Sequence, residues 1–407
     1  MRNSSFFQGI VVIAATLFLL WVAFGCSSDP QPAASRPVEI PTNFAQQTND
    51  FAFEFFKNLN QVPDQKAKNV FVSPLSLHIA LGMLLNGADG KTATEIQQTL
   101  RLKNFSLAEA NQIYQKLMEG LPQADPKVTL GLANSVWHRN TFQPEADFLT
   151  NMKTWFKADV ASFSGSSAEP LNNWASQKTN GKIKKVLEQI EPQMVLFLMN
   201  ALYFKGDWKI SFDEKKTSDY PFKLENGQTK MVKMMQLEEK LPLALKENYF
   251  AYQLPYGNGQ YSMTVIVPQN GKTANELAQS MSADEWTQLQ TSLQESPRTK
   301  IGLPKFVLEY EIMLNSILQK MGINEAFIPN VANLTKINRN GNLNVGFVKQ
   351  NTYVGVDEKG TEAAAVTTIG IELTSIGMQY YADRPFLIVI SEKTSNTILF
   401  MGKIMNP

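Results

Sequence analysis

The chain has 407 residues, 43% of them hydrophobic, with 38 basic against 37 acidic side chains, one cysteine and two histidines. That length and composition can bury a large core, in one big domain or two smaller ones, and the near-neutral charge offers no basic excess for holding nucleic acid. A lone cysteine excludes an internal disulfide, a zinc ribbon and an iron–sulfur site, and His78 and His138 are too few for a histidine-rich metal centre; no metal or cofactor is expected.

In chain order, Arg2 precedes an apolar run from Gly9 to Gly25, the pattern of a secretory signal over residues 1–25. An uncleaved membrane anchor is the alternative, because the run is nearly long enough to span. Cys26 follows Ala23-Phe24-Gly25 directly, and the segment resembles a bacterial lipoprotein signal in which that cysteine becomes the lipid-modified first residue; Ala23 departs from the usual leucine. The resemblance implies export and a lipid anchor at a bacterial outer membrane, since Ser27 rather than aspartate follows the cysteine. A secreted form or an N-terminal membrane anchor stays open. Residues 26–42 hold four prolines and few apolar side chains, a tether unable to fold, so the body is expected from Asn43.

Phe44, Phe51, Phe55 and Leu59 recur at spacings that put them on one helix face. Ser73-Pro74 opens a second helix, serine as cap and proline in the first turn. Its run to Leu85 is apolar almost all round, which predicts a buried helix with His78 as a packed core residue. Helical stretches are expected from Ala274 to Leu289 and from Leu314 to Met321. Short β-rich runs stand at Met263–Pro268, Phe386–Ile390 and Thr397–Met401. Helices first and strands later predict an α+β fold in a single domain spanning residues 43–407.

No phosphate-binding loop, dinucleotide fingerprint or Gly-x-Ser-x-Gly elbow occurs, so the chain is not expected to be an enzyme. The carboxylate pairs Glu238-Glu239 and Asp357-Glu358 read as solvated faces. Thr352–Asp357 reads as a strand. After it, from Gly360 to Ala382, only Glu362 and Glu372 are charged. Long segments of this kind are usually functional. Thr361, Ala363, Ala365, Thr367 and Ile369 would share one uncharged face, as a strand entering a sheet requires, with Glu362 opposite. The pattern alone allows an exposed loop or a buried strand.

Asp357-Glu358-Lys359-Gly360-Thr361-Glu362-Ala363-Ala364-Ala365 resembles the hinge of the serpin reactive-centre loop. Six further blocks fall in the family's order: Asn69–Ser76 with Gly87–Thr92, Asn172-Asn173-Trp174 with Thr179–Ile183, Asn200–Trp208, Leu254-Pro255-Tyr256, Leu303–Phe306, and Arg384-Pro385-Phe386 with Phe400–Lys403. The resemblance implies three β-sheets, eight or nine helices and an exposed reactive-centre loop at about residues 360–382. It also implies a monomeric suicide inhibitor of proteases: a target enzyme forms an acyl-enzyme with the loop, the cut loop enters the main sheet, and the carried enzyme is deformed before deacylation.

Counting the family's spacing from Gly360 and back from Pro385 gives Thr374 both times, which implies a scissile bond at Thr374-Ser375, with Leu373 as the alternative. The fourteen steps from Gly360 to Thr374 span roughly 46 Å when extended. A small β-branched residue at the cut implies elastase-like targets, Leu373 chymotrypsin-like ones, and the absence of Lys and Arg between Gly360 and Tyr381 argues against trypsin-like enzymes. The hinge is Glu358, Gly360, Thr361, Glu362, Ala363, Ala364, Ala365 and Thr367. Ser73, Ser76 and Asn200 match the polar cluster where the main sheet parts; Gln350 stands in place of the family's histidine, and Trp208 matches the tryptophan at the sheet's top. A non-inhibitory binding or carrier role, and inhibition of cysteine proteases by the same trap, remain alternatives.

Overall fold

The computed structural model describes residues 36–361 and 379–407. Helix α1 (Thr42–Gln61) buries Phe44, Phe51, Phe55 and Leu59 along the face that their spacing predicts. Helix α2 (Pro74–Gly87) starts at the expected cap, where Ser73 Oγ accepts from the Ser76 N–H at 3.1 Å. Nearly all of its residues are buried. His78 lies within this core, its Nε2 donating to the Leu100 carbonyl at 3.1 Å and its Nδ1 facing the Tyr114 hydroxyl at 2.9 Å. Burial lowers its pKa to about 4, so the ring is neutral.

Helices α3 (Gly90–Thr99), α4 (Leu107–Gly120), α5 (Ala146–Phe156) and α6 (Glu169–Lys178) follow. The stretch expected as one helix from Ala274 is two, α7 (Ala274–Ser280) and α8 (Ala283–Ser292). Ser282 turns extended and caps the second by accepting from the Glu285 N–H at 3.1 Å. Helix α9 (Asn315–Lys320) completes the nine among the described residues.

The strands form three sheets. The seven-stranded sheet runs β1 (Val70–Val72), β17 (Ile398–Ile404), β16 (Phe386–Glu392), β9 (Tyr261–Pro268), β8 (Tyr249–Pro255), β7 (Pro242–Leu245) and β10 (Gln294–Glu295). Every residue of β9, β16 and β17 is buried. The four-stranded sheet is β15 (Gln379–Tyr381), β11 (Thr299–Pro304), β6 (Thr229–Glu239) and β5 (Ser218–Lys223), with β15 parallel to β11. The six-stranded sheet is β12 (Phe306–Met313), β13 (Lys349–Val356), β14 (Gly360–Thr361), β4 (Leu196–Asp207), β2 (Val128–Arg139) and β3 (Asp159–Phe163). The longest strands, β2 and β4 at 12 residues each, therefore stand in the first part of the chain, against the expectation of late strands. Their burial does not alternate strictly, which blurs the two-residue period a sequence reading depends on.

The body also begins earlier than Asn43. Val38 is buried, and its N–H donates to Thr394 Oγ1 at 2.9 Å. Its side chain fills the space over Gly120, where a Cβ would come within 3.2 Å of it. The Arg36 N–H reaches the Ala124 carbonyl at 3.3 Å. One apolar residue in a proline-rich stretch is enough to dock it when a complementary surface waits.

Candidate functional site

The site is the head of the six-stranded sheet, where the two-residue strand β14 sits between β4 and β13. Gly360 pairs with Asp207, and Thr361 pairs with Gly206 on one side and Val356 on the other. The turn into it is tied by Asp357, whose Oδ1 accepts from the N–H groups of Lys359 at 2.9 Å and Gly360 at 3.2 Å. A Cβ on Gly360 would lie 2.1 Å from the Gly206 carbonyl oxygen, so only glycine lets the two backbones approach this closely. Thr361 is buried, as its place in the uncharged face requires. The sequence left loop and strand open for this segment; its first two residues are strand.

Trp208, at the end of β4, roofs this entry. Its N–H donates to the Lys359 carbonyl at 2.7 Å and its indole Nε1 to the Asp357 carbonyl at 2.9 Å. Glu358 is not on a solvated face as expected; its side chain is 7% exposed. It accepts from Lys305 Nζ at 2.7 Å and from Thr217 Oγ1 at 2.9 Å. Burial would push its carboxyl up, but Lys305, a backbone N–H and Thr217 together outweigh that and hold it below the usual carboxylate range. The same bond raises the Lys305 ammonium.

Below Thr361, β4 and β13 share no ladder among the described residues. A cavity of about 490 Å³ lies there, with Ser73, Ser76, Asn200 and Gln350 in its walls. Ser73 and Gln350 are joined directly: the Ser73 N–H donates to Gln350 Oε1 at 2.9 Å, and Gln350 Nε2 donates to the Ser73 carbonyl at 2.8 Å. The amide fills the place the resemblance gives to a histidine because it donates and accepts at once. Asn200, matched to the same cluster, pairs elsewhere: its Nδ2 donates to Asn134 Oδ1 at 2.6 Å, on the neighbouring strand β2. Its Oδ1 is buried without a partner among the described residues. Asn200 thus bonds across the β2–β4 ladder, while Ser73 and Gln350 bond to each other.

Glu362, Ala363, Ala364, Ala365, Thr367, Leu373, Thr374, Ser375 and Cys26 lie outside the described residues. Of the stretch 360–382 expected as a loop, Gly360–Thr361 and Gln379–Tyr381 are strand, the latter laddered onto β11, and residues 362–378 lie outside the described residues. Sequence reasoning missed Tyr256, Lys305, Thr217 and Asn134 as parts of this site. Tyr256 and Lys305 fall inside matched blocks, but their roles depend on contacts between distant segments.

A two-residue strand seated between two long strands that share no ladder below it among the described residues, within this set of three sheets, marks a distinct class of fold. Comparison gives that class a name. The chain belongs to the serpin family: the family model for Serpin (serine protease inhibitor) matches residues 46–407. The leukocyte elastase inhibitor of Xenopus laevis is 33% identical over 388 residues, 90% of this chain and 100% of that protein. Native tengpin, a thermophilic serpin, superposes with a TM-score of 0.83 at 31% identity, covering 93% of this chain and 97% of that one. Human thyroxine-binding globulin complexed with thyroxine superposes with a TM-score of 0.82 at 28% identity, covering 90% and 99%. The three-sheet serpin fold expected from the sequence is the fold found.

Proposed function

We propose that this chain is a suicide-substrate inhibitor of serine proteases, with elastase-like enzymes as its targets. The observation that carries the reading is β14: Gly360 and Thr361 already lie between β4 and β13, strands that leave each other unladdered below. In this reading the target's serine oxygen attacks the Thr374 carbonyl carbon and the Thr374-Ser375 bond breaks. Ser375 leaves as a new amino terminus, taking its proton from the target's catalytic base, and the ester to Thr374 remains. The freed segment then continues the strand begun at Thr361. Each added residue exchanges solvated backbone groups for ladder hydrogen bonds. Thr361 and the small residues after it suit burial in a sheet.

Likeness to the leukocyte elastase inhibitor supports the elastase-like target. Likeness to thyroxine-binding globulin supports the other reading, a serpin body that carries a ligand rather than trapping an enzyme. The uncharged face of Thr361, Ala363, Ala365 and Thr367, with no proline in the hinge, favours the first. A cysteine protease that accepted the same loop would meet the same trap. We place the active chain as a monomer held to a membrane through lipid on Cys26; mass spectrometry of the detergent-extracted protein would show the acylated cysteine as the first residue, and an unmodified amino terminus elsewhere would refute that. No helix among the described residues is long and apolar enough to cross a membrane.

Incubation with elastase-like and chymotrypsin-like enzymes, read on a denaturing gel, tests the main reading. A covalent complex with release of a fragment starting at Ser375 is expected. Clean cleavage without complex overturns inhibition. The Thr361→Arg variant should be cut without trapping, because it would carry a charge into the sheet interior.

A further inference from the structure

Tyr256 sits just past β8, where it meets Phe204, Trp208 and Thr361 at once. It is fully buried. Its ring stacks on Trp208 with centroids 4.4 Å apart and planes at 17°, and meets Phe204 edge-on at 4.9 Å. Its backbone is bridged to Trp208, and its N–H donates to the Tyr261 carbonyl at 2.8 Å. Gly206 makes room for the ring; a Cβ there would stand 3.0 Å from it. The ring is thus fixed from several sides, and its hydroxyl lies 2.5 Å from Thr361 Oγ1, its one partner among the described residues.

We propose that Tyr256 is a positioning residue that latches Thr361 at the head of the parted strands and so fixes where insertion starts. The proposal rests on the inhibitory reading and adds the device that decides its outcome. The hydroxyl–hydroxyl bond exists only while Thr361 lies between β4 and β13. Withdrawal of the hinge would leave a phenol hydroxyl buried without a partner, which weights the seated hinge by roughly fivefold to thirtyfold. Burial holds this phenol far above the usual tyrosine range, so the latch stays neutral and does not loosen with pH. After cleavage, insertion competes with hydrolysis of the ester. A hinge already seated starts that race ahead, and one that must first find its register starts behind.

The test uses Tyr256→Phe, Thr361→Val, Thr361→Ser and the Tyr256→Phe/Thr361→Val pair. Two quantities are read: hydrogen exchange of the amides of residues 357–361 in the uncleaved protein, and the moles of inhibitor consumed per mole of elastase-like protease. Tyr256→Phe should speed the exchange by roughly fivefold to thirtyfold and raise the stoichiometry severalfold. Thr361→Val should do the same, the pair should be no worse than either single change, and Thr361→Ser, which keeps the hydroxyl, should match the parent. Parental exchange and stoichiometry in Tyr256→Phe would overturn the latch. If that variant does not fold, equal behaviour of Thr361→Val and Thr361→Ser overturns it instead. A parent that forms no covalent complex refutes the inhibitory reading, while the exchange rates still judge the bond.

Discussion

The seven-stranded and six-stranded sheets are made from one chain but finished to different degrees. In the first, β9, β16 and β17 are wholly buried, and Phe71 stacks on Phe400 with centroids 5.1 Å apart. In the second, β4 and β13 are held together at their head by two residues and open onto a cavity of about 490 Å³ lower down. The contrast teaches that dense packing and open space are segregated into different sheets of this fold. The first sheet and α1 and α2 supply the packing that the other sheet forgoes.

Substitutions can sharpen that division. Phe400→Ala should be the most damaging, removing about 3–5 kcal/mol of packing and lowering the thermal midpoint steeply in a calorimetric scan. A comparable loss from truncating a residue in the wall of the cavity, such as Leu198→Ala, would break the comparison, since that side chain is only partly buried.

Acid provides the next probe. His78 has a pKa of about 4 in the folded protein, below the 6.5 of an exposed imidazole, so the unfolded chain binds the proton first. Stability should decline as pH falls from about 6.5 toward 4, by about 3 kcal/mol in all. His78→Gln should flatten that slope in denaturant titrations across this window; an unchanged slope would move the acid sensitivity elsewhere.

The smallest effect is expected at the head of the six-stranded sheet. Glu358 titrates below the usual 4.5, so its bond to Lys305 contributes above that value and is lost as pH falls through the lower, folded one. Because Lys305 is half exposed, Glu358→Gln should cost only about 1–2 kcal/mol at neutral pH. The thermal midpoint of that variant should then respond less than the parent's to acidification below about pH 4.5. A loss as large as that of Phe400→Ala would mean the head of this sheet is as fully committed as the core.

These regions also differ in how much of them the sequence discloses. The face of α1, the cap at Ser73 and the apolar runs of β9, β16 and β17 were legible because each is set by near neighbours. The hinge was legible only through resemblance, and its entry into the sheet at Gly360 and Thr361 was one of two open readings. Docking of Val38 onto Gly120, pairing of Asn200 with Asn134, and convergence of Tyr256, Trp208 and Thr361 leave no local pattern. Each depends on segments dozens of residues apart meeting at one place, and polar residues at such meetings look like ordinary loop or strand residues in the sequence.

The ladder between β15 and β11 has a consequence for timing. Thr361 is held in one sheet and Gln379–Tyr381 in another, so the two described ends of this stretch are anchored in different sheets. In the inhibitory reading we propose, cutting the chain between the two anchors frees the Thr361 side to extend beside β4 while β15 stays laddered to β11. In that reading, the enzyme that hydrolyses a peptide bond between these two anchors would itself release the strand it then has to contend with.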